Sequence, residues 1–243
     1  YPGAGDAAKS HPGLSGREEE MNRIAVIIVA GGSGSRMGAE VPKQFLVLDG
    51  LPILMHTIRR FAETLADART IVVLPAAHIG YWRNLCREYA FTTPHEVCEG
   101  GATRFESVRR GLDHAGDAGL VAVHDGVRPL VGREVILRAV RDAQAYGAVI
   151  PVVAPVDSLR RIADGGSNIV DRSAFRIVQT PQVFRTEILR KAYRQPFRDS
   201  FTDDASVVEA DGGRIYLCEG SYMNIKITTP VDIVTAEALL KVR

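Results

Sequence analysis

Unbroken apolar runs alternate with amphipathic stretches along most of the chain. Ile24 to Ala30 is apolar at every position, the pattern of a strand covered on both faces. Thr70–Pro75, Val121–His124 and Ala148–Val153 read the same way, and Glu96–Glu99 reads as a shorter strand that runs into Gly100-Gly101. Helical spacing predicts helices over Leu54–Leu65 and Ile79–Tyr89. Phe45–Leu48 and Leu51–Leu54 flank an Asp49-Gly50 turn. Ile215–Leu217 and Ile225–Thr228 read as late strands, and Pro230–Leu240 as a closing helix. This alternation predicts an α/β fold: a doubly wound, mainly parallel sheet with helices on both faces. Such sheets bind ligands beyond the carboxyl ends of their strands. The Gly31–Gly34 loop, Gly100-Gly101 and Asp125 should therefore gather at one end.

Two segments depart from this pattern. Ser158–Ile162 and Ser167–Asp171 flank Asp164-Gly165-Gly166, which predicts a β-hairpin inserted into the α/β frame. A two-stranded hairpin is marginal alone in water, so it needs a surface, either its own domain or a second subunit. Residues 1–20 carry Gly, Ala, Pro and charge without periodicity and end in Glu18-Glu19-Glu20. They read as a disordered leader or cloning remnant before Met21. The expected organisation is one domain over residues 21–243 with a hairpin arm at about 155–175.

Composition changes the picture little. At 243 residues the chain suffices for one large α/β domain. Its net charge of +1 gives no global field toward nucleic acid or membrane, and no apolar run approaches spanning length. Cys86, Cys98 and Cys218 are odd in number and set among apolar residues, so they read as reduced core thiols in a cytoplasmic protein.

The chemistry concentrates after the first strand. Gly31, Gly32 and Gly34 leave backbone N–H groups open to an anion. Arg36 and Lys43 follow, with Pro42 beside the lysine. Amides plus two fixed cations suit a polyphosphate. A Walker-type loop would end in Gly-Lys-Ser/Thr, but here Gly34 precedes Ser35-Arg36. A dinucleotide fingerprint needs glycine where Met37 stands. Four other charged residues have two readings each. Asp125 is either a hard oxygen ligand for Mg²⁺ or a cap. Lys226, between Ile225 and Ile227, either points inward to an anion or lies on the surface. Arg128 and Arg172 either contact substrate or form surface ion pairs.

Gly-x-Gly-x-Arg-Met over Gly32–Met37, followed by Val41-Pro-Lys-Gln-Phe45, resembles the nucleotidyltransferases that join a sugar phosphate to a nucleotide. Further blocks narrow the resemblance to cytidylyltransferases. They are Gly100-Gly-Ala-Thr-Arg-Phe-Glu-Ser107, His124-Asp-Gly-Val-Arg-Pro129, Val170-Asp-Arg172, Gln179-Thr-Pro-Gln182, Thr202-Asp-Asp-Ala-Ser206 and Asn224-Ile-Lys-Ile-Thr228. In this order they are similar to the 2-C-methyl-D-erythritol 4-phosphate cytidylyltransferase family of the non-mevalonate isoprenoid route. That family also shares its fold and motifs with ribitol 5-phosphate cytidylyltransferases. The resemblance implies a Rossmann-like fold and transfer of CMP from CTP to a sugar-alcohol phosphate. It implies catalytic roles for Arg36, Lys43 and Lys226, and nucleotide contacts from Ala30, Gly31, Gly32, Gly34, Gly101 and Ser107. Acceptor contacts would come from Arg128, Ser158, Arg172 and Thr202, Asp125 would hold Mg²⁺, and the hairpin would join a homodimer. Ser158 stands where the family usually carries threonine, and Ala102 where some members have aspartate. A non-catalytic nucleotide-binding regulator is the rival of another class. Retention of Arg36, Lys43, Asp125 and Lys226 together argues against it.

Overall fold

The computed structural model describes residues 23–31, 41–163 and 165–242. In chain order the described strands and helices begin with β1 (Ile24–Val29), β2 (Val47–Leu48), β3 (Leu51–Pro52), α1 (Ile53–Thr64), β4 (Arg69–Leu74) and α2 (Ala76–Glu88). Next come β5 (Glu96–Glu99), α3 (Arg104–Asp113), β6 (Leu120–Asp125), α4 (Arg133–Tyr146) and β7 (Ala148–Val153). The arm strands β8 (Arg160–Ala163) and β9 (Gly166–Ile169) follow, then β10 (Ile177–Val178) and β11 (Gln182–Arg185). The chain closes with α5 (Thr186–Ala192), α6 (Asp204–Ala210), β12 (Tyr216–Glu219) and α7 (Pro230–Leu240).

β1 lies between β4 and β6 and is parallel to both; β5 extends the parallel set beyond β4, and β12 pairs parallel with β7. β11 runs antiparallel between β6 and β7, and β10 pairs antiparallel with β7. The expected doubly wound sheet is present, with an antiparallel strand inserted into it. Alternation along β1 explains its wholly apolar sequence. Val26 and Ile28 pack toward α1, α2 and α4, while Ala25 and Ile27 pack toward α3, α5 and α6. Each residue of a doubly covered strand is a core residue. Gly111 lets α3 close on the sheet, because a Cβ there would stand 2.7 Å from Ile27 Cγ2.

Several elements differ from the sequence reading. Phe45 lies in a 3₁₀ turn, Lys43–Phe45, and only Val47–Leu48 pairs across the Asp49-Gly50 turn. That turn has positive φ at both residues, 47° and 78°, as a two-residue hairpin loop requires. Helix α2 begins at Ala76, directly after Pro75. Ile225–Thr228 forms no strand. Its alternation arises because Ile225 and Ile227 pack on the cluster of Leu48, Val127 and Leu130 without a neighbouring ladder.

The arm strands pair in the register Arg160↔Ile169 and Ile162↔Ser167. Directly opposed residues share a face, so Ile162 and Ile169 lie on one side. They are 81% and 66% exposed. Every residue of both strands is exposed except the half-buried Ser167. The arm therefore does not rest on the described part of its own domain.

Candidate active site

The site lies where the winding of the sheet reverses. β1 leads outward to β4, whereas β6 returns on the other side of β1, so the chain diverges between their carboxyl ends. Val29 and Asp125 are register partners there, which brings the glycine loop and the aspartate out side by side. Ala30 N–H donates to the Val73 carbonyl at 3.0 Å, and Gln44 Nε2–H donates to the Ala30 carbonyl at 2.8 Å. These bonds fix the chain just before Gly31. A cleft of about 240 Å³ opens at this point, lined by Ala30, Gly31, Lys43, Gly101, Ala102, Thr103, Arg104, Ser107, Asp125 and Lys226, among others. Among the described lining residues, three cations (Lys43, Arg104 and Lys226) face one carboxylate.

One wall is the turn from β5 into α3. Thr103 and Glu106 form a capping box at the start of α3. Ser107 Oγ accepts from Gly101 N–H at 3.1 Å and donates to the Thr103 carbonyl at 2.9 Å. The wall is packed so closely that a Cβ on Gly101 would stand 2.3 Å from Glu106 Cβ. Arg104 occupies the first turn of the helix, where the macrodipole disfavours a cation. Asp204 compensates. Its fully buried carboxylate accepts from Arg104 Nη1 and Nη2 at 3.0 and 2.6 Å, and from the Tyr193 hydroxyl at 2.6 Å. Burial alone would weaken the protonation of Arg104, but the Asp204 charge more than reverses this.

Asp125 is the electrostatic centre. Its Oδ2 lies 3.0 Å from Lys226 Nζ and 3.2 Å from Arg128 Nε, and its Oδ1 lies 4.0 Å from Arg104 Nε. Burial would raise the pKa of the carboxyl. Lys226, Arg104 and Arg128 outweigh burial and hold it well below the usual carboxylate range. Behind it, Asp125 N–H donates to Thr180 Oγ1 at 3.1 Å, and the Thr180 hydroxyl donates to His124 Nδ1 at 3.0 Å. His124 Nε2–H in turn donates to the Arg128 carbonyl at 3.1 Å. These partners fix the neutral imidazole, and burial lowers its pKa to about 4.

The fold thus brings Ala30, Gly31, Lys43, Gly101, Ser107, Asp125 and Lys226 to one cleft. Lys226 points inward, as the first of its two sequence readings requires. Arg128 lies buried behind Asp125, and its Nη1–H donates to the Asn224 carbonyl at 2.7 Å. Ser158, Arg172 and Thr202 are exposed and are not among the described lining residues. Arg172 Nη1–H donates to the Val156 carbonyl at the base of the arm. Gly32, Gly34, Arg36 and residues 1–20 lie outside the described residues. Sequence reasoning assigned no role to Arg104, although a cation placed against a helix dipole inside a recognised block was a usable signal. His56, read as structural or surface, is partly buried and bonds the Leu48 carbonyl. Cys98 and Cys218 are buried free thiols, pushed up to about 11 by burial.

The donor set suits Mg²⁺ in one specific way. Asp125 offers an ionised hard oxygen at the floor of the cleft, and Mg²⁺ commonly takes one or two carboxylates and completes its shell with water and substrate phosphate. Among the described residues no cluster of three or more His, Cys, Asp or Glu side chains exists to hold a metal alone.

The family described as IspD, 2-C-methyl-D-erythritol 4-phosphate cytidylyltransferase, matches residues 24–242. A Porphyromonas gingivalis protein of that name is 54% identical over 222 residues, 91% of this chain and 99% of that protein. One from Phocaeicola vulgatus is 50% identical over 220 residues, 90% and 100% of the two chains. The crystal structure of 2-C-methyl-D-erythritol 4-phosphate cytidylyltransferase from Thermus thermophilus superposes with a TM-score of 0.72 at 36% identity, covering 90% of this chain and 99% of that one. With ordered motifs, topology and near-complete coverage in agreement, the chain belongs to the 2-C-methyl-D-erythritol 4-phosphate cytidylyltransferase family.

Proposed function

We propose that this protein transfers CMP from CTP to 2-C-methyl-D-erythritol 4-phosphate, giving 4-diphosphocytidyl-2-C-methyl-D-erythritol and pyrophosphate. The observation that carries the reading is the convergence of Arg104 and Lys226 on the ionised Asp125 carboxylate, in a cleft that Lys43 also lines, at the switch point of the sheet. An acceptor phosphate oxygen attacks the α-phosphorus of CTP in line. As that P–O bond forms, the bond to the β-phosphate breaks and pyrophosphate leaves with the electron pair. A phosphate monoester is already ionised near neutral pH, so the protein supplies no general base. Its contribution is positioning and charge stabilisation.

Arg36 and Lys43 hold the triphosphate, and Lys226 stabilises the charge that grows on the α-phosphate. Gly31, Gly101 and the loop braced by Ser107 set the nucleotide against the ends of β1 and β5. Asp125 would hold Mg²⁺, which when bound would offset negative charge on the triphosphate. Thr202 approaches the acceptor, while Arg128, buried against Asp125 and the Asn224 carbonyl, acts chiefly on the placement of both.

The arm completes the site in a homodimer. Ile162 and Ile169 on one face of it lack a cover among the described residues of their own chain, and Ser158 and Arg172 stand on the same arm. In the dimer these two residues reach the acceptor in the neighbouring subunit.

Pyrophosphate release tests the reading. CTP with methylerythritol phosphate and Mg²⁺ should support turnover, and UTP or ATP should do so poorly. Equal rates with the three nucleotides would remove the cytidylyltransferase assignment. Faster turnover of ribitol 5-phosphate would reassign the acceptor.

A further inference from the structure

The segment that carries Lys226 belongs to no helix or strand. Residues 220–229 connect β12 to α7 without a ladder, so their backbone groups must find partners elsewhere. Gln179 supplies them from the break between β10 and β11. Its Nε2–H donates to the Ser221 carbonyl at 2.8 Å, and its Oε1 accepts from Ser221 N–H at 3.1 Å. One side-chain amide thus imitates the paired residue of an adjacent strand. The fit leaves no room at Gly220, where a Cβ would stand 2.5 Å from Gln179 Oε1.

Asn224 makes the second attachment. It is fully buried, and its Nδ2–H donates to the Thr180 carbonyl at 2.8 Å and more weakly to Gln179 Oε1 at 3.4 Å. Beyond Lys226, Ile227 N–H donates to the Val127 carbonyl at 2.9 Å. Lys226 therefore stands between two anchored points, with its Nζ on Asp125. A lysine stem is long and flexible, so the position of its ammonium depends on where its Cα is held. A misplacement of roughly 1 Å costs on the order of a hundredfold in rate when a group acts on the reacting atoms.

We propose that Gln179 and Asn224 are positioning residues for the reaction: they touch neither nucleotide nor acceptor, and act by fixing the backbone that aims Lys226. This rests on the reading of Lys226 as the cation at the α-phosphate. The test is a double-mutant cycle on turnover. Gln179→Met, which keeps length and removes its three side-chain hydrogen bonds, and Asn224→Ser are each measured alone and combined with Lys226→Ala. Each single variant should lower kcat about tenfold and change the KM for CTP less than about twofold; added to Lys226→Ala, each should cost less than about a further twofold. The same tenfold loss recurring in the Lys226→Ala background would show general structural damage and overturn the proposal. So would unchanged kcat in the folded single variants. Should Gln179→Met fail to fold, the Asn224→Ser cycle decides by the same criterion. Full turnover by Lys226→Ala would instead overturn the reading of Lys226 itself, an outcome distinct from additivity.

Discussion

Asp125 is buried among Lys226, Arg128 and Arg104, whereas Ile162 and Ile169 project from the arm at 81% and 66% exposure. The cleft draws its partners from distant parts of one chain: β6, α3, the loop before β11, and the segment after β12. Its geometry follows from its own fold. The arm has a register and a turn, but among the described residues nothing covers Ile162 and Ile169. Burying one such isoleucine side chain is worth about 1.5–3 kcal/mol, a gain that the isolated chain forgoes twice. The difference separates a cleft whose charged partners one fold brings together from an arm that, in the proposed homodimer, a second copy covers.

The largest effect should come from the cleft. Lys226→Ala should lower kcat about a hundredfold, the order of about 3 kcal/mol expected when one charge-stabilising donor is removed. The melting temperature should change little, because the lysine side chain is 44% exposed. A large fall in melting temperature with normal turnover of the folded fraction would make Lys226 structural, and would erase the functional half of the contrast.

Subunit mixing sharpens the other half. Homodimers of Lys226→Ala and of Arg172→Ala should each be nearly inactive. If each site takes Lys226 from one chain and Arg172 from the other, a mixed dimer puts both lesions in one site and leaves its second site intact. Random exchange in equal amounts should then restore roughly a quarter of wild-type activity. Activity that stays at baseline despite proven exchange would place Arg172 in its own chain's site.

The smallest expected effect is on stability. His124 titrates near 4 in the folded protein and near its ordinary 6.5 when unfolded. Between those values the unfolded chain binds a proton that the folded chain refuses. Stability is therefore full above pH 6.5 and falls as pH drops toward 4. At pH 5.5 the loss should be about 1.4 kcal/mol, tenfold in the folding equilibrium. Urea unfolding at pH 7.5 and 5.5 should show that slope in wild type and in Ile162→Ser, and less of it in His124→Gln. An equal slope in His124→Gln would trace the pH dependence to other groups. Asp125, with its depressed pKa, loses its contribution only below the usual carboxylate range.

The order of the parallel core strands was legible because β1, β4, β6 and β7 are apolar on both faces, and only a doubly covered sheet asks for that, whereas helices α3 to α6 were not read individually. The Asp49-Gly50 turn and the arm were legible from their turn residues. Ile225–Thr228 misled, because alternation records which side chains are covered and not what covers them. Ile227 is buried under Leu48 and Val127, and among the described strands none pairs with it. The antiparallel β11 also escaped, since a short apolar run carries no record of its neighbour's direction.

The chain by itself determined the chemical inventory: a glycine loop behind a buried strand, isolated cations, and an aspartate at a strand's end. It did not determine their pairing. Whether Lys226 faced solvent or Asp125 hung on Gln179 and Asn224, more than 40 positions apart in the chain, and Arg104 found its charge partner 100 residues away in Asp204. Local periodicity reports burial within a few residues. A charge–charge contact of 3 Å depends on how separate segments meet, and that is decided by packing across the whole sheet.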